Sequence, residues 1–318
     1  MSRYILKRLL LIIPVLLGVA ILIFTLMYLT PGDPIRMMLT GASEAQVQEM
    51  RDAYGLNDSF IVQLGRFLKG TFLEMDMGIS YFSGLPVFKE LMTRLPHTVV
   101  LALSCMIAQL LIGIPLGVSA AVHQNKWQDN IVMTLAMLGV SVPEFCFAQL
   151  LILIFSLSLG WLTSYGVAHW YDYILPIISA AVPTLGGVAR VTRSQMLEVI
   201  RSDYCTTARM KGIKERTILY KHALPNALIP VITNIGMSFG KALGGTVVIE
   251  TVFSIPGIGY YLVSGIGNRD YPVVRGSVLM LAVLFSIVML VMDVIYAFID
   301  PRIKAMYEGQ QKKRLKKS

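Results

Sequence analysis

Apolar positions in this chain fall into six long blocks rather than short stripes. They run about Leu9–Leu29, Thr98–Val122, Ile131–Leu159, Ile174–Val191, Asn226–Val248 and Ser277–Ile299. Each is long enough to cross ~30 Å of hydrocarbon at ~1.5 Å per residue. Blocks of this length predict spanning helices, because each backbone N–H and C=O must then be satisfied within its own segment. The first block follows Arg3, Lys7 and Arg8 and so resembles a signal peptide. Its run of about 21 apolar residues is longer than a signal core and no small-residue cleavage site follows, so it reads as a retained helix. The fourth block is the shortest and contains Pro176 and Pro183.

Two connections are too long to be simple turns. In residues 30–97, Ser43 followed by Gln46 fits a capping box that opens a helix ending near Gly55. Phe60, Ile61, Leu64, Phe67, Leu68 and Phe72 then recur at helical spacing. That amphipathic helix either lies on the membrane surface or belongs to a small external subdomain, and the subdomain is the reading adopted. In residues 192–225, Ser194 to Lys211 lacks Pro and Gly and predicts one helix, broken by Gly212. Lys214 to Leu224 predicts another, ended by Pro225. Thr206, Thr207 and Ala208 sit among Arg201, Arg209, Lys211, Lys214 and Arg216. This is either a solvated basic loop or a docking element whose small side chains permit close approach. The chain therefore divides into an N-terminus with the first span (1–29), an extracytoplasmic segment with short helices (30–97), a five-helix core (98–300) and a basic tail (301–318).

Composition sharpens the class. Hydrophobic residues make up 55% and charged residues 15%, against ~25% charge in soluble domains, and mean hydropathy is +0.65. A soluble enzyme, a disordered chain and a fibrous repeat are excluded; an all-α integral membrane protein remains. The net charge of +9 would suit nucleic acid in a soluble protein, but here it follows the excess of Lys and Arg in cytoplasmic loops. Three basic residues precede the first span, eight lie in 190–225 and seven follow Asp300, whereas none lies in 160–173 and two lie in 249–276. Both termini are expected in the cytoplasm, and no nucleic acid is expected as a partner.

Candidate chemistry is sparse. Cys105, Cys146 and Cys205 are not placed for an extracellular disulfide, and the cysteines and His97, His123, His169 and His222 show no metal-ligand spacing. No catalytic group is expected. Gly236-Met237-Ser238-Phe239-Gly240-Lys241-Ala242 imitates a phosphate-binding loop but has three intervening residues and ends in Ala. Gly236, Gly240 and Gly244 are better read as one helix face that lets a neighbour approach closely. The 18 methionines are mostly apolar filler.

The 192–225 segment carries a resemblance. It is similar to the cytoplasmic loop of permease subunits in ATP-binding-cassette importers, whose form is Glu-Ala-Ala, three residues, Gly, nine residues, Ile-x-Leu-Pro. The same frame here reads Thr206-Thr207-Ala208, Gly212 and His222-Ala223-Leu224-Pro225, with Thr-Thr replacing Glu-Ala and His222 replacing Ile. Asp203-Tyr204, Thr207-Ala208-Arg209, Lys211-Gly212 and Asn226-Ala227 look like the peptide-and-nickel branch. So do Arg3-Tyr4 with Lys7-Arg8-Leu9, Pro31-Gly32-Asp33-Pro34, Tyr54-Gly55-Leu56, Met77-Gly78-Ile79-Ser80 and Arg94-Leu95-Pro96. Ser141, Pro143 and Phe145 fit its third span, and Glu250, Val252-Phe253, Pro256-Gly257-Ile258-Gly259, Arg269-Asp270-Tyr271-Pro272-Val273 and Asp300-Pro301-Arg302 follow in order.

The resemblance implies a type I importer permease fold of six spanning helices, with an insertion between the first two. It implies a homologous second permease, two ATPase subunits that hold ATP and Mg, an extracytoplasmic binding protein and a bacterial inner-membrane location. Asp203, Tyr204, Thr206, Thr207, Ala208, Arg209, Lys211 and Gly212 would form the helix that couples to an ATPase. Substrates of the branch include dipeptides, oligopeptides, glutathione-like peptides and nickel chelates, and peptides are the reading adopted. An ATPase-independent secondary transporter is the alternative of another class, and no inverted repeat between the halves supports it. The charges deepest in the spans are Glu144 and Lys241, ~20 and ~22 Å from the inner end at helical rise. They pair with each other, line the pathway together with Ser141, or sit nearer an interface than these span limits place them; the three readings stay open.

Overall fold

A computed structural model describes residues 2–39 and 41–299, except the side chains at 2–5, 7, 37, 237, 238, 241–243 and 296–299. The basic tail and the motif at 300–302 lie outside the described residues. The fold is helical. The long elements are α1 (Ser2–Leu29), α5 (Val87–Ala108), α9 (Ile174–Ile200), α12 (Leu224–Val252) and α14 (Tyr271–Ile299), and the shorter ones are introduced below. Among the described residues four stretches are long and apolar enough to cross a membrane: Arg8–Leu29, Val87–Val122, Trp170–Ile200 and Tyr271–Ile295. The expected block at Asn226–Val248 lies within α12.

The third expected span is not one helix. α7 (Trp127–Ser141) and α8 (Glu144–Leu151, continued by a π-helical turn to Ser158) meet at an angle of 101°. Pro143 has no N–H to donate and excludes the α conformation at the residue before it, and Val142 is extended at φ −90°, ψ 124°. The other long blocks hide breaks of a milder kind. α5 passes through a π turn at Gln109–Gly113 into α6 (Ile114–Val122), and α11 (Glu215–Thr217) passes through a π turn at Ile218–Ala223 into α12. In both, a proline follows as the second residue of the next α segment, Pro115 and Pro225. A wide turn leaves room for the proline ring that a regular turn would not. Pro225 therefore does not end its helix, contrary to the expectation from sequence.

The chain forms two compact units. The first comprises residues 1–100, 164–169 and 246–286. Here the capping box is present: Ser43 Oγ accepts from Gln46 N and Gln46 Oε1 accepts from Ser43 N, opening α3 (Glu44–Ala53), and Gly55 follows in the left-handed region at φ +64°. α4 (Phe60–Leu73) lays its aromatic face on α1. Phe67 stacks on Phe24 at 5.4 Å, and Phe60 meets Phe24 and Tyr28 at 5.6 and 5.0 Å. Residues 30–97 thus belong to one unit with the first span. Arg51 pairs with Asp33, and buried Asp270 accepts from Ser80 Oγ at 2.6 Å.

The most enclosed polar cluster of this unit centres on Glu250, which is fully buried. Its carboxylate accepts from Thr98 Oγ1 at 2.7 Å and from Tyr260 N at 3.0 Å, while Thr98 Oγ1 accepts from Ile258 N at 2.9 Å. Glu250 and Thr98 thereby satisfy first-turn N–H groups of α13 (Ile258–Gly267), which no local side chain caps. A Cβ on Gly257 or Gly259 would fall 2.3 or 2.9 Å from Glu250 Oε2, so both must be glycine for the carboxylate to sit there.

The second unit comprises residues 101–163, 170–245 and, of the described C-terminal residues, 287–299. Its centre is α9, which packs along α6 and α7 with almost no side chain between. A Cβ on Gly117 would lie 2.5 Å from Ala189 O, and one on Gly186 would lie 2.4 Å from Ala136 O. Such backbone approach is how helices associate where lipid supplies no hydrophobic drive. Gln109, buried at the π turn, donates to Thr184 Oγ1 at 2.9 Å.

Candidate functional site

The loop singled out in the sequence is a separate helix, α10 (Asp203–Met210). Ser194–Lys211 is not one helix: α9 runs on to Ile200, and Arg201 and Ser202 turn the chain before α10 begins. Its C-terminus is a Schellman motif. Ile213 N donates to Ala208 O and Gly212 N donates to Arg209 O at 2.9 Å, with Gly212 at φ +74°. No neighbour lies within 4 Å of a Cβ added to Gly212, so the backbone conformation, not crowding, requires glycine.

Burial divides the helix into two faces. Cys205 and Ala208, three residues apart, are buried in a cluster with Val118, Ala121, Met196, Ile218, Leu219, Ala223 and Ala227. Ala208 is small because it packs into the chain's own core, so it is not on the outward face that the sequence suggested. Asp203, Tyr204, Thr206, Thr207, Met210, Lys211 and Gly212 are exposed. Arg209 is also turned to internal use. It makes two bonds to Glu215, at 3.1 and 2.8 Å, and donates through Nη1 to Ile200 O at 3.2 Å, at the C-terminal end of α9. The hydrogen-bonded guanidinium holds the Glu215 carboxyl below the usual glutamate range, and Glu215 raises Arg209 in turn.

Two further contacts fix this base, and neither was foreseen. Arg193 on α9 makes a bidentate pair with Asp129 on α7, at 2.6 and 2.7 Å, and Asp129 also accepts from Asn125 N at 2.9 Å. Arg201 donates to Gln124 Oε1 at 3.1 Å. The 123–130 loop is thus tied to the helix that leads into α10. Asp129 and Arg193 are 64 residues apart, so no local pattern announces the pair.

Of the candidate pathway residues, Ser141 is the last residue of α7, is exposed, and donates to Met137 O at 2.8 Å. Glu144 opens α8 beyond the break and is half-buried. Its carboxylate rests on Gly245 of α12, where a Cβ would fall 2.4 Å from Oε2. The side chain of Lys241 lies outside the described residues. Gly245 is a close approach within this chain; on the expected glycine face Gly236 is buried, and Gly244 is exposed with nothing within 4 Å of an added Cβ.

Comparisons with known proteins agree with this architecture. The family of binding-protein-dependent transport system inner membrane components matches residues 113–305, and the N-terminal membrane-component family of the same systems matches residues 1–102. The glutathione transport system permease protein GsiC of Salmonella paratyphi A is 43% identical over 305 residues, covering 96% of this chain and 99% of the relative. The protein of the same name from Escherichia coli is 39% identical over the same length. Among solved structures, an inward-facing MetNI methionine ABC transporter chain shares the fold at a TM-score of 0.56 and 20% identity, over 66% of this chain and 96% of that one. An amino acid ABC transporter chain does so at 0.50 and 13%, over 67% and 94%. The chain belongs to the family of binding-protein-dependent transport system inner membrane components and is a multi-pass inner-membrane permease subunit of a bacterial ABC importer.

Proposed function

We propose that this permease forms half of a translocation pathway for peptides, paired with a homologous permease, and is driven through α10 by an ATPase subunit. ATP and Mg are held by two such subunits, and this chain contributes no hydrolytic group. An extracytoplasmic binding protein delivers the substrate. Both termini and α10 face the cytoplasm, as the basic residues of 190–225 and of the two ends require. The peptide assignment is supported by relatives named as glutathione permeases, since glutathione is itself a small peptide.

One observation carries the coupling role: α10 is anchored on one face and bare on the other. Cys205, Ala208 and Arg209 fasten it to its own chain, while Tyr204, Thr207 and Met210 project outward with no packing duty. A short helix held this firmly moves with α9 as a body, which suits a two-state transmission driven by ATP binding.

The test is to substitute the bare face alone in the assembled transporter. Tyr204→Asp and Thr207→Trp are expected to leave permease folding intact and to lower uptake and binding-protein-stimulated ATP hydrolysis by tenfold or more, a loss of roughly 1.4 kcal/mol at an interface. Ala208→Trp is expected to destabilise the loop itself. Unchanged coupling in both outward variants, with the complex intact, would refute the assignment. Titrating the binding protein with peptides and with nickel chelates separates the two substrate classes.

A further inference from the structure

Every other acid named so far inside a spanning helix has a partner. Asp129 is held by Arg193, and Glu250 by Thr98 and Tyr260 N. Glu144 is the exception: among the described residues its carboxylate accepts no hydrogen bond and meets no cation. It sits where α7 stops and α8 restarts at 101°. The fifteen residues of α7 rise about 22 Å, which places the break deep in a ~30 Å hydrocarbon layer. A charge there facing lipid costs ~2.5–3.5 kcal/mol, and irregular backbone at that depth is tolerated only against protein or a water-filled cavity. Ser141, Pro143 and Gln149 around the break are exposed in this chain. Gly245 makes the seat, since any side chain there would displace the carboxylate.

We propose that Glu144, seated on Gly245 at the break of the third span, is a cation-recognition point of the pathway that takes the ammonium group of the passing substrate. The inference rests on the permease reading and adds the charge class of the group recognised. An ammonium offers three donors to a carboxylate whose acceptor sites no described residue fills. A half-exposed carboxylate binds such a group briefly, as a transit point requires. The site is distinct from the coupling helix and places the ligand's positive end, not its carboxylate, against this subunit.

The experiment uses the complete transporter in proteoliposomes, with Ser141→Cys as reporter and Cys146→Ala to keep the labelled peptide unambiguous. Methanethiosulfonate reagents bearing either a trimethylammonium or a sulfonate group are applied through the ATP cycle, and modification at position 141 is read by mass spectrometry. The cationic reagent is expected to react about tenfold faster than the anionic one, as a focused negative site raises local cation concentration. Adding Glu144→Gln is expected to bring the ratio close to one. An unchanged ratio, or no reaction in any state, overturns the proposal. In parallel, Glu144→Gln and Gly245→Ala are each expected to reduce alanylalanine uptake several-fold with the complex still assembled, as read by co-purification of the ATPases; undiminished uptake overturns the substrate role. If assembly fails in Glu144→Gln and is restored by adding Lys241→Met, the carboxylate belongs to a structural pair and the proposal falls. If the unmodified transporter takes up no alanylalanine yet the reagent ratio depends on Glu144, the cation site stands and the peptide reading falls.

Discussion

At the scale of single residues, the fold depends on side chains that finish the hydrogen bonding of distant backbone. Glu250 and Thr98 serve α13 in this way, and the Pro256-Gly257-Ile258-Gly259 run is shaped to receive them. Removing the carboxylate leaves Tyr260 N and the Thr98 hydroxyl without an acceptor in a site closed to water, at ~1–3 kcal/mol per orphaned group. Glu250→Ala is therefore expected to lower the thermal midpoint of the purified complex markedly. Glu250→Gln keeps the shape and one acceptor, and is expected to lose clearly less. Equal losses would show that volume, not hydrogen bonding, matters at this position. In the sequence Glu250 and the two glycines were legible only as parts of the pattern shared with the peptide-and-nickel branch. The pattern could not show that one explains the other, because the link is a packing distance.

At the scale of elements, the paired charges on α7 and α9 make the inner ends of two helices one piece. Asp129 is almost fully buried, with side-chain exposure of 3% against 24% for Arg193. Breaking such a pair from one side is costly, by ~3–5 kcal/mol, because the remaining charge keeps its desolvation without its partner. Asp129→Ala and Arg193→Ala are each expected to reduce both assembly and uptake. Exchanging the two residues is expected to recover part of the assembly measured by co-purification. Full recovery of assembly without uptake would assign the pair's geometry to transmission as well as folding. Element positions were largely legible in the sequence. The capping box at Ser43 and the amphipathic run from Phe60 lie where their patterns predicted. Two of the misses turn on a proline. Pro143 breaks a block that hydropathy draws as continuous, whereas Pro225 is carried through by a wide turn that no local pattern signals.

At the scale of the whole molecule, topology follows from charge placed between apolar blocks. A reporter active only outside the cytoplasm is expected to work when fused after Glu49 or Trp170 and to fail after Lys214 or Lys312. Activity after Lys214 would invert the orientation and remove α10 from the side where ATP is available. Family membership was legible because the motif frame from Thr206 to Pro225 kept its spacing even where residue types changed. The direction each residue faces was not legible: Ala208 and Arg209 share the motif with Thr207 yet point to internal partners. Periodicity alone marks a short helix of eight residues too weakly to choose its buried side.

The glycine contacts along α9 have a mechanical consequence. Where Gly186 meets Ala136, main chain bears on main chain, with no rotamer between them to yield, and Gly117 is closed in by the Ala189 carbonyl and the stiff β-branched side chain of Thr192. A side-chain interface behaves as a cushion, because torsions can turn before the backbone shifts. This one behaves as a hard bearing, so a displacement at the inner end reaches the level of Gly186 undiminished. Compliance is then concentrated where the chain has given up regular hydrogen bonding, at Val142–Pro143. The packing of α9 on α6 and α7 is stiff and the joint at Val142–Pro143 is soft, and Glu144 is the first residue beyond that joint.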